Sequence, residues 1–174
     1  VRDEETVELG IRAALTGHLV FSTVHTNDAA SGFTRLLNWQ VEPFLITSTV
    51  KGILAQRLVR RICEECKGSY NPNSEEKQMI GLTPKDKIKA YKGKGCLSCR
   101  NTGYKGRIGI YELLLMDADI SELVLNQEPG YKIREQARKN GMTTLLEDGI
   151  IKIERGDTTI SEVYETLGTT KIIL

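Results

Sequence analysis

The sequence predicts an α/β fold interrupted by a four-cysteine module and finished by an α-helical C-terminal region. Three observations carry that prediction. Residues 1–62 alternate helical and strand-like apolar periods, all four cysteines lie in two Cys-x-x-Cys pairs within one stretch of weak periodicity, and from Asp117 onward helix caps recur with i, i+3/i+4 apolar spacing.

The elements follow in order. Asp3–Thr6 supplies an N-cap and first-turn acids for an amphipathic helix carrying Val7, Ile11, Ala14 and Leu15, with Gly17 as its stop. His18–Thr26 is rich in β-branched residues and reads as a strand, ending in the turn and cap residues Thr26, Asn27 and Asp28. A second helix then carries Phe33, Leu36 and Leu37 towards Asn38. Pro43 suits the first turn of a third, running through Leu45, Ile46, Val50 and Leu54, and Arg57–Ile62 reads as a short strand or a helix end. After the cysteine stretch, Arg107–Leu115 returns to strand-like sequence. Asp117 caps a helix with Ile120, Leu123 and Val124, and Pro129 opens one with Ile133 and Ala137, beyond which stands Gly141. Leu145, Leu146, Ile150 and Ile153 mark another, stopped by Gly156, and Thr159–Glu162 fits a capping box for the last, which ends near Gly168. The expected divisions are 1–62, 63–106 and 107–174.

Cys63 and Cys66 form one knuckle and Cys96 and Cys99 the other, with 29 residues between the pairs. Two such knuckles can bring four thiolates to one ion at tetrahedral angles, giving a closed zinc site whose role is structural because no position stays open for water. The gap exceeds the ~15–20 residues usual in zinc ribbons, so the connecting loop must be long. Metal-free apolar cysteines and disulfides are the alternatives, the latter disfavoured in a reducing compartment. The stretch between reads as an inserted module rather than as more core. Its lysines, with Tyr91 and Tyr104 among them, are diluted by Glu64, Glu65, Glu75, Glu76 and Asp86 and read as a solvated face.

With 24 Lys+Arg against 23 Asp+Glu, the net charge of +1 excludes a strongly basic nucleic-acid-binding chain and an acidic disordered one. No apolar run approaches the ~18 residues of a membrane span and no signal sequence opens the chain, so the expectation is a cytoplasmic protein without direct membrane insertion. Val1 in place of Met leads to the expectation that the chain is a fragment.

Functional groups of open α/β sheets gather where strands end and helices begin. His25 stands there with Ser22, Thr23 and Thr26, able to donate to a phosphate oxygen, and an ordinary structural histidine fits the same place. His18, at the other end of the run, has no evident chemistry. No Gly-x-Ser-x-Gly and no Cys-His nucleophile pattern occurs.

Val1–Thr6, Ala13–Val20, Ser22–Ala29, Ala55–Arg60, the two cysteine pairs, Thr102–Leu113, Gly141–Leu145 and Glu147–Gly149, in that order, resemble the C-terminal part of the type II secretion and type IV pilus assembly ATPases. The resemblance covers essentially the whole chain. It implies a RecA-like P-loop ATPase core, hexameric at work, using ATP and Mg2+ in the full-length parent to drive pilus or pseudopilus assembly. The implied partners are an inner-membrane platform protein and its cytoplasmic adaptor, with the ATPase peripheral at the inner face of the inner membrane and without nucleic acid. Arg2 and Asp3 match the tail of the family's Walker B segment. His25, with Thr23 and Thr26 beside it, matches the His box that faces the terminal phosphate. Cys63, Cys66, Cys96 and Cys99 match the Zn2+ module of assembly members, which retraction members generally lack. No Gly-x-x-x-x-Gly-Lys-Ser/Thr occurs, so the expectation is that this chain alone does not hydrolyse ATP, and that apolar surface of residues 1–62 is exposed. The alternative is a zinc-dependent protein- or RNA-binding module.

Overall fold

The computed structural model describes residues 3–168, which fold as two units. The first holds the described residues up to Ala55 together with Glu112–Thr143, and the second holds Gln56–Tyr111 with the described residues from Thr144 onward. Both units are thus discontinuous in sequence, whereas the divisions read from composition are consecutive. The strands β1 (Gly52–Ile62) and β4 (Tyr104–Leu115) pair and run through both units.

In the first unit, Asp3 caps α1 (Glu4–Leu15), which buries Val7 and Ile11. Asp28 caps α2 (Ala29–Asn38), and Pro43 opens α3 (Pro43–Thr49). The helices α5 (Ala118–Leu125) and α6 (Gly130–Lys139) begin at Asp117 and Pro129, as the sequence predicts. Phe33, Ile46, Leu114, Ile120, Val124 and Ile133 form the buried core of this unit.

Two expectations for this unit fail. His18–Thr26 is not a strand but irregular, with Leu19 exposed and Phe21 87% exposed, because no described strand lies alongside to complete its ladder hydrogen bonds. The third helix stops at Thr49 rather than running through Leu54. Its hydroxyls turn back on the chain, Ser48 Oγ to Phe44 O at 2.6 Å and Thr49 Oγ1 to Leu45 O at 2.6 Å, and Val50 is already extended, so Leu54 falls in β1. The expected apolar exposure is present at Leu9, Leu15, Leu19, Phe21, Phe44 and Leu54.

In the second unit, β2 (Lys67–Tyr70) pairs antiparallel with β3 (Ala90–Gly93), Lys67 opposite Gly93 and Tyr70 opposite Ala90. Between them lies α4 (Ser74–Met79), closed by a reciprocal capping box between Asn73 and Glu76. The last helices are α7 (Leu145–Arg155), with its own capping box at Thr144 and Glu147, and α8 (Ile160–Leu167). The cysteine stretch is more core than its texture implies. Ile80, Ile88 and Ala90 are buried with Ile153 of α7 and with Ile160 and Val163 of α8. These apolar residues sit on separate short pieces and so show no period, yet each meets the apolar stripe of a helix.

The capping box expected at Thr159 is only half made. Thr159 Oγ1 accepts from Glu162 N, but the Glu162 carboxylate turns inward to Arg60 of β1. It accepts from Arg60 N at 2.8 Å and from Nε at 2.7 Å, and pairs with the guanidinium through Nη2 as well. Arg60 also lies over the Tyr104 ring at 4.2 Å, and Tyr104 Oη is 2.9 Å from Thr159 Oγ1. Charge-assisted bonds from a fork of donors outweigh the single backbone amide that a capping glutamate would accept from.

Candidate functional site

Two constellations carry chemistry. The first belongs to the second unit and is set by β2 and β3. Cys66 immediately precedes β2 and Cys96 follows shortly after β3, so the antiparallel register brings both knuckles to one end of this hairpin. The 29-residue interval is therefore β2, α4 and β3 rather than an open loop. Lys94 N donates to Cys66 O at 3.0 Å and Cys63 N to Gly103 O at 2.9 Å, tying each knuckle to the other. Glycine is required where the backbones meet: a Cβ at Gly93 would stand 2.2 Å from Gly103 O, and Gly103 itself has a φ of +77°.

All four thiols are free, and their sulfurs lie within 4.8 Å of one another. The Sγ separations are 3.8 Å for Cys63 and Cys96, 3.9 Å for Cys66 and Cys99, and 3.7 Å for Cys96 and Cys99. A tetrahedron with Zn–S bonds of about 2.3 Å has edges of about 3.8 Å, so the donor set fits one zinc ion; a disulfide needs about 2.05 Å. Burial works against a Cys99 thiolate, but the amides of Cys96 and Gly103 donate to its Sγ, each at 3.2 Å, and the thiol is brought down to about 6. Burial pushes the Cys66 thiol up to about 11. Among the described residues this is the one group of His, Cys, Asp or Glu side chains placed to hold a metal.

The second constellation belongs to the first unit, at the entry to α2. His25 lines a cavity of about 470 Å3 together with Asp28, Thr34, Arg35, Tyr131 and Arg134. Thr26 is part of this lining, and its Oγ1 donates to Asp28 O at 3.1 Å. Thr23 is exposed and outside the lining. Asp3 serves as the N-cap of α1, where the hydroxyl and amide of Thr6 hold its carboxyl below the usual carboxylate range. Arg2 lies outside the described residues. The structure thus gathers His25 and Thr26, and places Thr23 and Asp3 apart from that cavity.

Three further residues complete the entry to α2. Asp28 Oδ1 accepts from Ser31 N at 2.8 Å, and Arg134 Nη2 of α6 donates to Asp28 Oδ2 at 2.6 Å. Glu112 Oε1 of β4 accepts from Ala29 N at 2.8 Å. The signal for Glu112 lies in the strand's alternation, since it falls at the buried parity shared by Ile110 and Leu114. A carboxylate there has to have a partner. Arg134 carries no local signal, as its partner lies 106 residues away.

Residues 1–165 match the family described as Type II/IV secretion system protein. The chain belongs to that family. Its relatives include the Type IV pilus assembly ATPase PilB of Thermus thermophilus, 47% identical over 165 residues that make up 94% of this chain and 19% of that protein. The Type II secretion system ATPase E of Vibrio cholerae is 41% identical over 163 residues, 94% of this chain and 32% of that one. This secretion-family chain therefore spans a third or less of the length of these relatives. Among solved structures, the pilus retraction motor PilT with bound ADP matches with a TM-score of 0.64 and 24% identity, over 100% of this chain and 39% of that one. The likeness at that identity concerns the α/β fold. No described helix of this family member is long and apolar enough to cross a membrane.

Proposed function

We propose that this chain is the C-terminal part of a cytoplasmic traffic ATPase, peripheral at the inner membrane, that couples ATP hydrolysis to pilus or pseudopilus assembly. The observation that carries the reading is the family match over residues 1–165, with relatives of 41–47% identity named as assembly and secretion ATPases. The four-sulfur cluster supports assembly or secretion over retraction. In the working hexamer His25, with Thr26 fixing the turn behind it, faces the terminal phosphate of ATP and reports its presence to α2. Arg2, Asp3 and Thr23 belong to the margin of that nucleotide site.

Zinc held by Cys63, Cys66, Cys96 and Cys99 supplies rigidity and no reactive position. The knuckles then hold a fixed surface on which Leu97, 92% exposed, faces outward beside the charged pair Glu65 and Lys105. That surface suits docking of the platform protein, its adaptor or a neighbouring subunit. Within the 174 residues no phosphate-cradling P-loop occurs, so this chain alone neither binds ATP tightly nor hydrolyses it.

The test is ATP turnover by the complete ATPase that carries this sequence, with and without His25→Ala. A fall of roughly 10²-fold or more is expected, the scale of a lost positioned donor. Unchanged turnover refutes the role of His25, and a magnesium-dependent ATPase rate from this chain alone refutes its inactivity.

A further inference from the structure

The start of α2 is held from three directions, and two of the holds come from distant sequence. Asp28 caps the helix from its own segment, while Glu112 arrives from β4 and Arg134 from α6. The first turn of α2 contains no acid, so the positive end of the helix is met by these two carboxylates. Glu112 is 2% exposed and Asp28 is buried, and buried carboxylates persist only where donors answer them. Here Ala29 N answers Glu112, and Ser31 N with Arg134 answers Asp28.

His25 stands three residues before Asp28, and Thr26 Oγ1 is bonded to the Asp28 carbonyl. His25 and Asp28 line the same cavity, and Asp28 is in turn held by an ion pair to α6. The helices α2 and α6 touch at this point, where a Cβ on Gly130 would lie 3.0 Å from Thr34 Oγ1. A packed contact of this kind transmits a shift rather than absorbing it.

We propose that Arg134 and Glu112 are positioning residues for His25, holding the Asp28 turn so that the state of the nucleotide passes into α6 and β4. The proposal rests on the reading of His25 as the phosphate-facing residue. Arg134 lines the same cavity as His25 but its Nη2 is engaged by Asp28; in this scheme both residues act through Asp28 and the first amide of α2.

The test is carried out on the complete ATPase with His25→Ala, Arg134→Gln, Arg134→Lys, Glu112→Gln and the two double variants with His25→Ala. Arg134→Gln is expected to lower kcat roughly tenfold, inside the ~10²-fold that a misplacement of about 1 Å costs, with KM for ATP nearly unchanged. Arg134→Lys restores most of the rate, since an ammonium still pairs with Asp28. Glu112→Gln keeps an acceptor oxygen for Ala29 N and gives a smaller loss. In the His25→Ala background neither substitution lowers the rate further, because the group they position is gone. A merely structural role predicts losses that add to that of His25→Ala, and additivity overturns the proposal, as does wild-type turnover in Arg134→Gln. If Arg134→Gln does not fold, the Glu112→Gln pair with His25→Ala decides by the same criterion. Unchanged turnover in His25→Ala instead overturns the reading beneath it.

Discussion

Replacing Cys99 with serine is the sharpest perturbation of the four-sulfur cluster. Cys99 is buried, it receives both amide bonds made to sulfur by Cys96 and Gly103, and its thiol is the one brought down to about 6. It is thus the sulfur best prepared to act as a thiolate ligand. Structural zinc binds with about 10–16 kcal/mol in small closed sites, so an equal share per ligand is about 2.5–4 kcal/mol, or roughly 10²–10³-fold in affinity. The assay is zinc per chain by elemental analysis after dialysis against graded chelator, with thermal unfolding of the same samples. About one zinc per wild-type chain is expected, lost from Cys99→Ser at a chelator concentration roughly two to three decades lower. Unfolding of the wild type should also shift down on chelation, since metal affinity in such sites is folding free energy. Metal-free wild-type protein whose stability ignores added zinc would refute the reasoning, and so would a Cys99→Ser chain that holds zinc as tightly as its parent.

The remaining predictions concern the frame of the cluster and the joint behind it. Gly103→Ala places a methyl 2.8 Å from Gly93 O at a φ of +77°, and the backbone there cannot yield without moving the Gly103 amide off Cys99 Sγ. A loss of roughly 1–3 kcal/mol together with earlier zinc release is expected, and unaltered zinc retention would count against it. Glu162→Ala removes the acceptor of the Arg60 amide and guanidinium; bonds to charged groups contribute about 1.5–3 kcal/mol, trimmed here to about 1–2 because the Arg60 side chain is 53% exposed. The unfolding midpoint should fall by roughly 2–8 °C, and a change within 1 °C would contradict the joint. Burial opposes ionisation of Glu162, but the Arg60 bonds prevail and hold its carboxyl below the ordinary 4.5. Its stabilisation is therefore complete above the unfolded value and fades as pH falls through the lower folded one, so acid unfolding of Glu162→Gln should be shallower in that window than that of the parent.

The sequence is most legible where a signal is local. The caps at Asp3, Asp28, Asp117 and Thr159, the glycine stop at Gly156 and the pairing of the cysteines are each written within four residues and stand in the structure. The failures share a cause. His18–Thr26 has the composition of a strand, but strand formation needs a neighbour that composition does not supply. Glu162 has the spacing of a capping box, but Arg60, 102 residues away, offers it more donors. The burial of Ile80, Ile88 and Ala90 against α7 and α8 is invisible in the sequence because contacts across such separations leave no period there. For the candidate site the same division holds. His25 and Thr26 are legible from their place before a helix, whereas Arg134 is not, and Glu112 shows only as a polar residue at a core parity.

If His25 faces a phosphate as proposed, the entry to α2 also limits how it is met. A helix N-terminus ordinarily offers its first amides and its dipole to an anion. In α2 those of Ala29 and Ser31 already donate to Glu112 and Asp28, and the two carboxylates set their charge against the dipole. An anion arriving here finds two of the first amides already engaged, and Asp28 paired with Arg134 on its far oxygen. On the proposed reading, the side chain offered to a terminal phosphate is the exposed imidazole of His25, with Arg35 also in the cavity lining.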